Sequence, residues 1–137
     1  MLAHGRFLTL ALIAAVIGCG DAFDPKAPLT GSWSAPPLGD NSTLVLHLRQ
    51  LDTTVVGGAD YTIKVYWLDT VQHTGPTYDV RVAGTYTSSR ITLMMQYQLG
   101  PGTAAMGFGG VMDDPYHLRG ILDLGGDRRD SVTFTRQ

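Results

Sequence analysis

The chain has 137 residues, room for one ordinary domain, and a formal net charge of -2, which gives no reason to expect nucleic acid or another polyanion as a partner. All twelve acidic residues are aspartate, opposed by eight arginines and two lysines, Lys26 and Lys64. Glutamate is absent and lysine scarce while threonine, glycine, valine and tyrosine are plentiful, so the composition leans towards strands.

In chain order, the first segment reads as an address rather than a domain. Arg6 and the free amino terminus supply positive charge, and Phe7 to Gly18 then carries no charged residue and closes on small side chains, the order of parts in a secretory signal. The run is too short for a membrane span, which needs roughly 20 apolar residues to cross about 30 Å of hydrocarbon. It also lacks the one-sided pattern of a core-facing helix. Its last residues, Val16-Ile17-Gly18-Cys19, resemble the lipobox of bacterial lipoproteins, with valine where leucine is commoner. The resemblance implies a diacylglyceryl group on the Cys19 sulfur, cleavage just before Cys19, and an amino terminus acylated in its turn. Cys19 is the chain's one cysteine, so no internal disulfide forms and the fold is held by its core. The expected organisation is a lipoprotein signal peptide over residues 1–18, a lipidated, extended tether over 19–30 and a β-barrel domain over 31–137. Gly20 after the cysteine, where some bacteria read aspartate as a retention signal, points to the outer membrane of a bacterial cell envelope.

The mature part alternates. Leu44, Leu46 and Leu48 point one way while Val45, His47 and Arg49 point the other, as a half-buried strand requires. The same beat is expected in Tyr61, Ile63, Val65 and Trp67, in Tyr78, Val80 and Val82, and in Ile91, Leu93, Met95, Tyr97 and Leu99. Further strands are expected around Trp33, at Thr54 to Gly57, within Ala104 to Met112, at Tyr116 to Leu124 and at Ser131 to Arg136, eight or nine in all. Between them fall PPLGDNS, LDTT, HTGPT, TSSR, GPG, MDDP and GGDRRD, each with the residues tight reversals need. Short connections favour antiparallel neighbours, and strands with one apolar face must close or stack. The expected fold is all-β, an antiparallel up-and-down barrel of about eight strands. A membrane-spanning barrel would put Arg49, Lys64, Asp79 and Arg81 at risk of facing hydrocarbon and is disfavoured.

Leu29-Thr30-Gly31-Ser32-Trp33 resembles the Gly-x-Trp opening strand of calycins, the small barrels that include lipocalins and avidins. That resemblance implies an arginine near the chain end packed over the tryptophan, and Arg136 is placed to close the structure on Trp33. The avidin family's set of biotin contacts is not found, so no biotin binding follows.

The remaining chemistry is sparse. His47, His73 and His117 show no close metal-site spacing, so no metal is expected. Asp113-Asp114-Pro115 reads as a turn, and Asp127 to Asp130 as a solvated hairpin tip. The glycines of GPGTAAMGFGG lack a P-loop ending and read as strand bends or a rim. No nucleophile elbow, zincin motif or glutamate is present, so neither an enzyme nor a cofactor is expected. What is left is the apolar face: Tyr61, Trp67, Tyr78, Met95, Tyr97 and Phe108 are the candidate lining of a site for a small apolar molecule or lipid, with core packing as the competing use. The rival function is an envelope interaction or inhibitor module without a cavity.

Overall fold

The computed structural model describes residues 23–66 and 72–137, with the side chains of Tyr66, Gln72 and His73 left aside. The signal segment, Cys19 and Trp67 lie outside the described residues. Eight strands follow in order: β1 (Gly31–Ser34), β2 (Thr43–Leu51), β3 (Thr54–Tyr66), β4 (Gln72–Thr87), β5 (Arg90–Leu99), β6 (Gly102–Asp114), β7 (His117–Gly125) and β8 (Arg128–Arg136). Each pairs antiparallel with the next, and β1 pairs with β8, so the sheet is a closed up-and-down barrel. Closure removes the free edges that an open sheet would present.

The alternation read in β2 is the alternation observed, and that read in β5 holds as far as Tyr97, while Leu99 at the end of the strand stands exposed. Leu44, Leu46 and Leu48 are buried, as are Ile91, Leu93 and Met95, and with Trp33, Val55, Ala59, Val80, Val82, Met106, Leu118, Leu122 and Phe134 they form one core inside the barrel. Phe108 and Phe134 meet edge to face at 5.3 Å, a favoured ring geometry. Arg49, Asp79 and Arg81 lie exposed on the opposite phase, so the interior is apolar and the outer wall charged. A transmembrane barrel has the reverse distribution.

Three local expectations change. Thr54–Gly57 and Tyr61 onward are a single strand, β3, rather than two. Gly75 and Pro76, expected in a turn, lie inside β4 beside a register shift between Thr62 and Lys64. Proline is tolerated there because β4 pairs with β5 only from Arg81, opposite Gln96, onward, so no ladder bond to β5 is lost at Pro76. The segment expected as an extended tether is, from Phe23 to Thr30, packed across one end of the barrel: Leu29 is fully buried and its N–H donates to Gln50 Oε1 at 3.1 Å.

The connections follow turn chemistry. Ser88 and Ser89 both have positive φ, 52° and 66°, in the two-residue link between β4 and β5. That is the pattern of a type I′ hairpin, whose twist matches the strands it joins. The bend of so small a barrel also demands close backbone approach. A Cβ on Gly84 would lie 1.9 Å from the Thr92 carbonyl oxygen, and one on Gly110 2.4 Å from that of Arg119. Side chains at these positions would force the strands apart.

The two ends differ. At one, here the closed end, lie residues 23–30, the β2–β3, β4–β5 and β6–β7 turns and the end of β8. At the other, the mouth, lie the loop 35–42 and the β5–β6 and β7–β8 turns.

Candidate functional site

The closed end is wired around Trp33. Its indole N–H donates to the Leu29 carbonyl at 2.9 Å. The Arg136 guanidinium lies over the indole, 4.4 Å from the ring centroid, with Phe23 against it at 5.6 Å. Arg136 also donates to the carbonyls of Pro115 at 3.0 Å, Thr30 at 2.7 Å and Pro28. A planar fork of five donors can serve three carbonyls and a ring face together, which an ammonium cannot. This end is a structural lock in which the Trp33 indole N–H and the Arg136 guanidinium are both bonded.

The mouth is built differently. Tyr61 and Tyr78 are direct partners across β3 and β4. Beyond the Arg81–Gln96 pair, β4 and β5 part, and Tyr97 of β5 reaches across the parting. The ring centroids are 6.5 Å apart for Tyr61 and Tyr78, 5.6 Å for Tyr61 and Tyr97, and 5.2 Å for Tyr78 and Tyr97. Among the described residues no hydrogen bond reaches any of the three hydroxyls. Burial, and then the neighbouring Tyr61 and Tyr78, raise the Tyr97 pKa above its ordinary value, so its phenol keeps its proton as a donor. On the outer side of the parting lies a cleft of about 250 Å³ lined by Asp79, Arg81, Gln96, Tyr97, Gln98 and Thr103.

The loop 35–42 is clasped to this end. Leu38 is buried, the Gly39 N–H donates to Asp130 Oδ2 at 3.3 Å, and Arg128 Nη2 pairs with Asp40 Oδ2 at 2.6 Å. Burial raises the Asp40 pKa, but hydrogen bonds from Ser42 and Arg128 together outweigh it and hold the carboxyl below its ordinary value. The hydrogen bond to Asp40 raises the Arg128 pKa, and Arg128 lies within electrostatic reach of Tyr61 and Tyr97.

Of the residues expected to line a site, Tyr61, Tyr78 and Tyr97 therefore come together, while Met95 and Phe108 lie deeper in the packed core at 0% and 2% exposure. Trp67 lies outside the described residues. The Asp40–Arg128 clasp went unread because its partners are 88 positions apart. So did a second cluster: Ser32 Oγ lies 3.0 Å from His47 Nδ1, and His47 Nε2 lies 3.0 Å from Asp60 Oδ2. Strand register, with Ser32 opposite His47, brings this trio together. It stands on the outer wall, with His47 and Asp60 side chains 50% and 52% exposed, away from the cleft at the mouth. A hydrogen-bonded serine and histidine need a substrate pocket and oxyanion donors to make a hydrolase, and the strand backbone here is committed to its ladders. No group of three or more metal-ligating side chains occurs among the described residues.

Comparisons with known protein families, with curated proteins and with solved structures return no match for this chain.

Proposed function

We propose that the chain is a lipid-anchored, calycin-like barrel of the bacterial cell envelope that binds a small apolar molecule at its mouth. The observation that carries the binding reading is the tyrosine trio. Three rings meet where two strands part, and three hydroxyls stand without partners among the described residues. An apolar molecule carrying a hydrogen-bond acceptor would cover the rings and take up those donors, which is what amphipathic tyrosines do at binding surfaces. Because the side chains beneath are packed, with Leu44, Leu93 and Met95 all fully buried, the molecule would lie across the mouth rather than deep in the barrel. The anchor reading rests on Val16-Ile17-Gly18-Cys19 after an apolar run, and the calycin likeness on Gly31, Trp33 and Arg136 in an eight-stranded closed barrel.

Titration with an environment-sensitive apolar dye tests the binding reading. Saturable enhancement that falls when Tyr78 and Tyr97 are replaced by alanine is the expected outcome, and no saturable binding removes the reading's basis. One observation favours the rival interaction module: Val56 and Met94 stand 37% and 54% exposed on the outer wall, beside a trough of about 450 Å³ that also includes Ala83. Crosslinking from position 94 in intact envelopes would capture a protein partner if that wall is the working surface.

A further inference from the structure

Seven large apolar side chains stand exposed among the described residues, and they are not scattered evenly. Val56, Met94 and Ile121 lie along the wall and Leu99 at the mouth, whereas Phe23, Leu51 and Tyr116, at 39%, 51% and 57% exposure, all lie at the closed end. They surround the same lock. Phe23 packs on Arg136, whose backbone N–H donates to the Tyr116 carbonyl at 2.9 Å, and Leu51 follows Gln50, the residue that holds Leu29.

The chain outside the described residues says what faces them. Cys19 precedes Phe23 by four residues, and four residues fully extended reach at most about 14 Å. If acyl chains on Cys19 are in a bilayer, the closed end is held within that distance of the headgroups. From this geometry we infer that the closed end seats on the lipid surface through Phe23, Leu51 and Tyr116, so that the tyrosine-lined mouth points away from the membrane. The inference rests on the anchor reading proposed above and is independent of the ligand reading. Asp24, Asp52, Asp113 and Asp114 nearly balance Lys26, Arg49, Arg90, Arg119 and Arg136 around this end, which leaves no strong net charge there. The seat therefore depends on acyl chains and apolar contact, not on attraction to anionic lipid. With β2 nine residues long, the mouth stands roughly 20–25 Å farther out at the usual rise and tilt of barrel strands. A ligand would then reach it from the aqueous side, not directly from the leaflet that holds the anchor.

The test uses the acylated full chain in vesicles of phosphatidylethanolamine and phosphatidylglycerol, some carrying a nitroxide high on the acyl chain. With Cys19 acylated, Leu51→Cys, Tyr116→Cys and Asp127→Cys each provide a single thiol for a fluorophore. Labels at 51 and 116 should be quenched roughly threefold more than one at 127 on the β7–β8 turn, as expected for groups about 5–10 Å into the headgroup boundary. Hydrogen exchange on the unmutated chain provides a second readout that needs no variant. The turns at 51–54 and 114–117 should exchange more slowly in vesicles than in detergent, and that at 125–128 should not change. Equal quenching at all three sites with unchanged exchange, on a chain whose intact mass includes the acyl groups, overturns the seat alone. A chain whose Cys19 carries no acyl mass overturns the anchor reading and the seat with it.

Discussion

The two ends of this barrel use aromatic residues to opposite effect. At the closed end Trp33 is fully buried and its one polar atom is bonded, and Arg136 is committed to carbonyls and a ring face. At the mouth, three tyrosines pack ring against ring but keep their hydroxyls unpartnered among the described residues, and β4 and β5 separate at their level. A polar group satisfied within the fold contributes to stability, whereas one left open is free to recognise something else. The difference separates a part that holds the fold from a part available to act.

Several substitutions would break or sharpen that contrast, and the largest effect is expected at the lock. Trp33→Ala removes a fully buried side chain and should cost about 3–5 kcal/mol, read as a lower midpoint of denaturant unfolding at unchanged slope. Arg136→Ala should cost about 2–3 kcal/mol, since it strips charged donors from three carbonyls, and Arg136→Lys should recover less than half of that because an ammonium lacks the planar fork. If lysine restores full stability, the fork is not what closes this end.

At the mouth the expectation inverts. Tyr78→Phe and Tyr97→Phe remove hydroxyls that make no hydrogen bond among the described residues, so unfolding free energy should change by no more than about 0.5 kcal/mol while dye affinity falls. A loss as large as that at Arg136 would show the tyrosines to be structural.

The smallest effect is expected at the clasp. Because Asp40 is held below its ordinary pKa in the folded chain, its contribution is present above the unfolded value near 3.9 and fades as pH falls through the lower folded value. The bridge is partly exposed, so Asp40→Asn should cost no more than about 1 kcal/mol at pH 7, and the gap from wild type should close in acid. Paired urea titrations at the two pH values check this, and a gap that widens in acid would contradict the assignment.

How much of this could be read in advance depends on how local the cause is. In β2 and β5 the face each side chain takes is decided by its neighbours two residues away, so Leu44, Leu46, Leu48, Ile91, Leu93 and Met95 were legible as core. The strand expected at Thr54 to Gly57 and the one expected from Tyr61 are a single strand, and Gly57 within it serves the close approach of β2, a use its letter alone does not show. Gly75 and Pro76 misled likewise, since whether proline is tolerated depends on a ladder partner that sequence does not reveal. The docking of residues 23–30 depends on Gln50, more than twenty positions away, and the Ser32–His47–Asp60 and Asp40–Arg128 contacts depend on register and loop path. The aromatic face was legible as a set, but its division into Met95 and Phe108 below and three tyrosines above follows from where β4 and β5 part.

The most direct measurement of the functional claim is native mass spectrometry of the full chain after gentle extraction from its own envelope, wild type beside Tyr78→Ala/Tyr97→Ala. The account predicts a small apolar adduct on the wild type that is lost from the double variant while the variant remains folded. A wild type without any adduct, or an adduct retained equally by both, would contradict it.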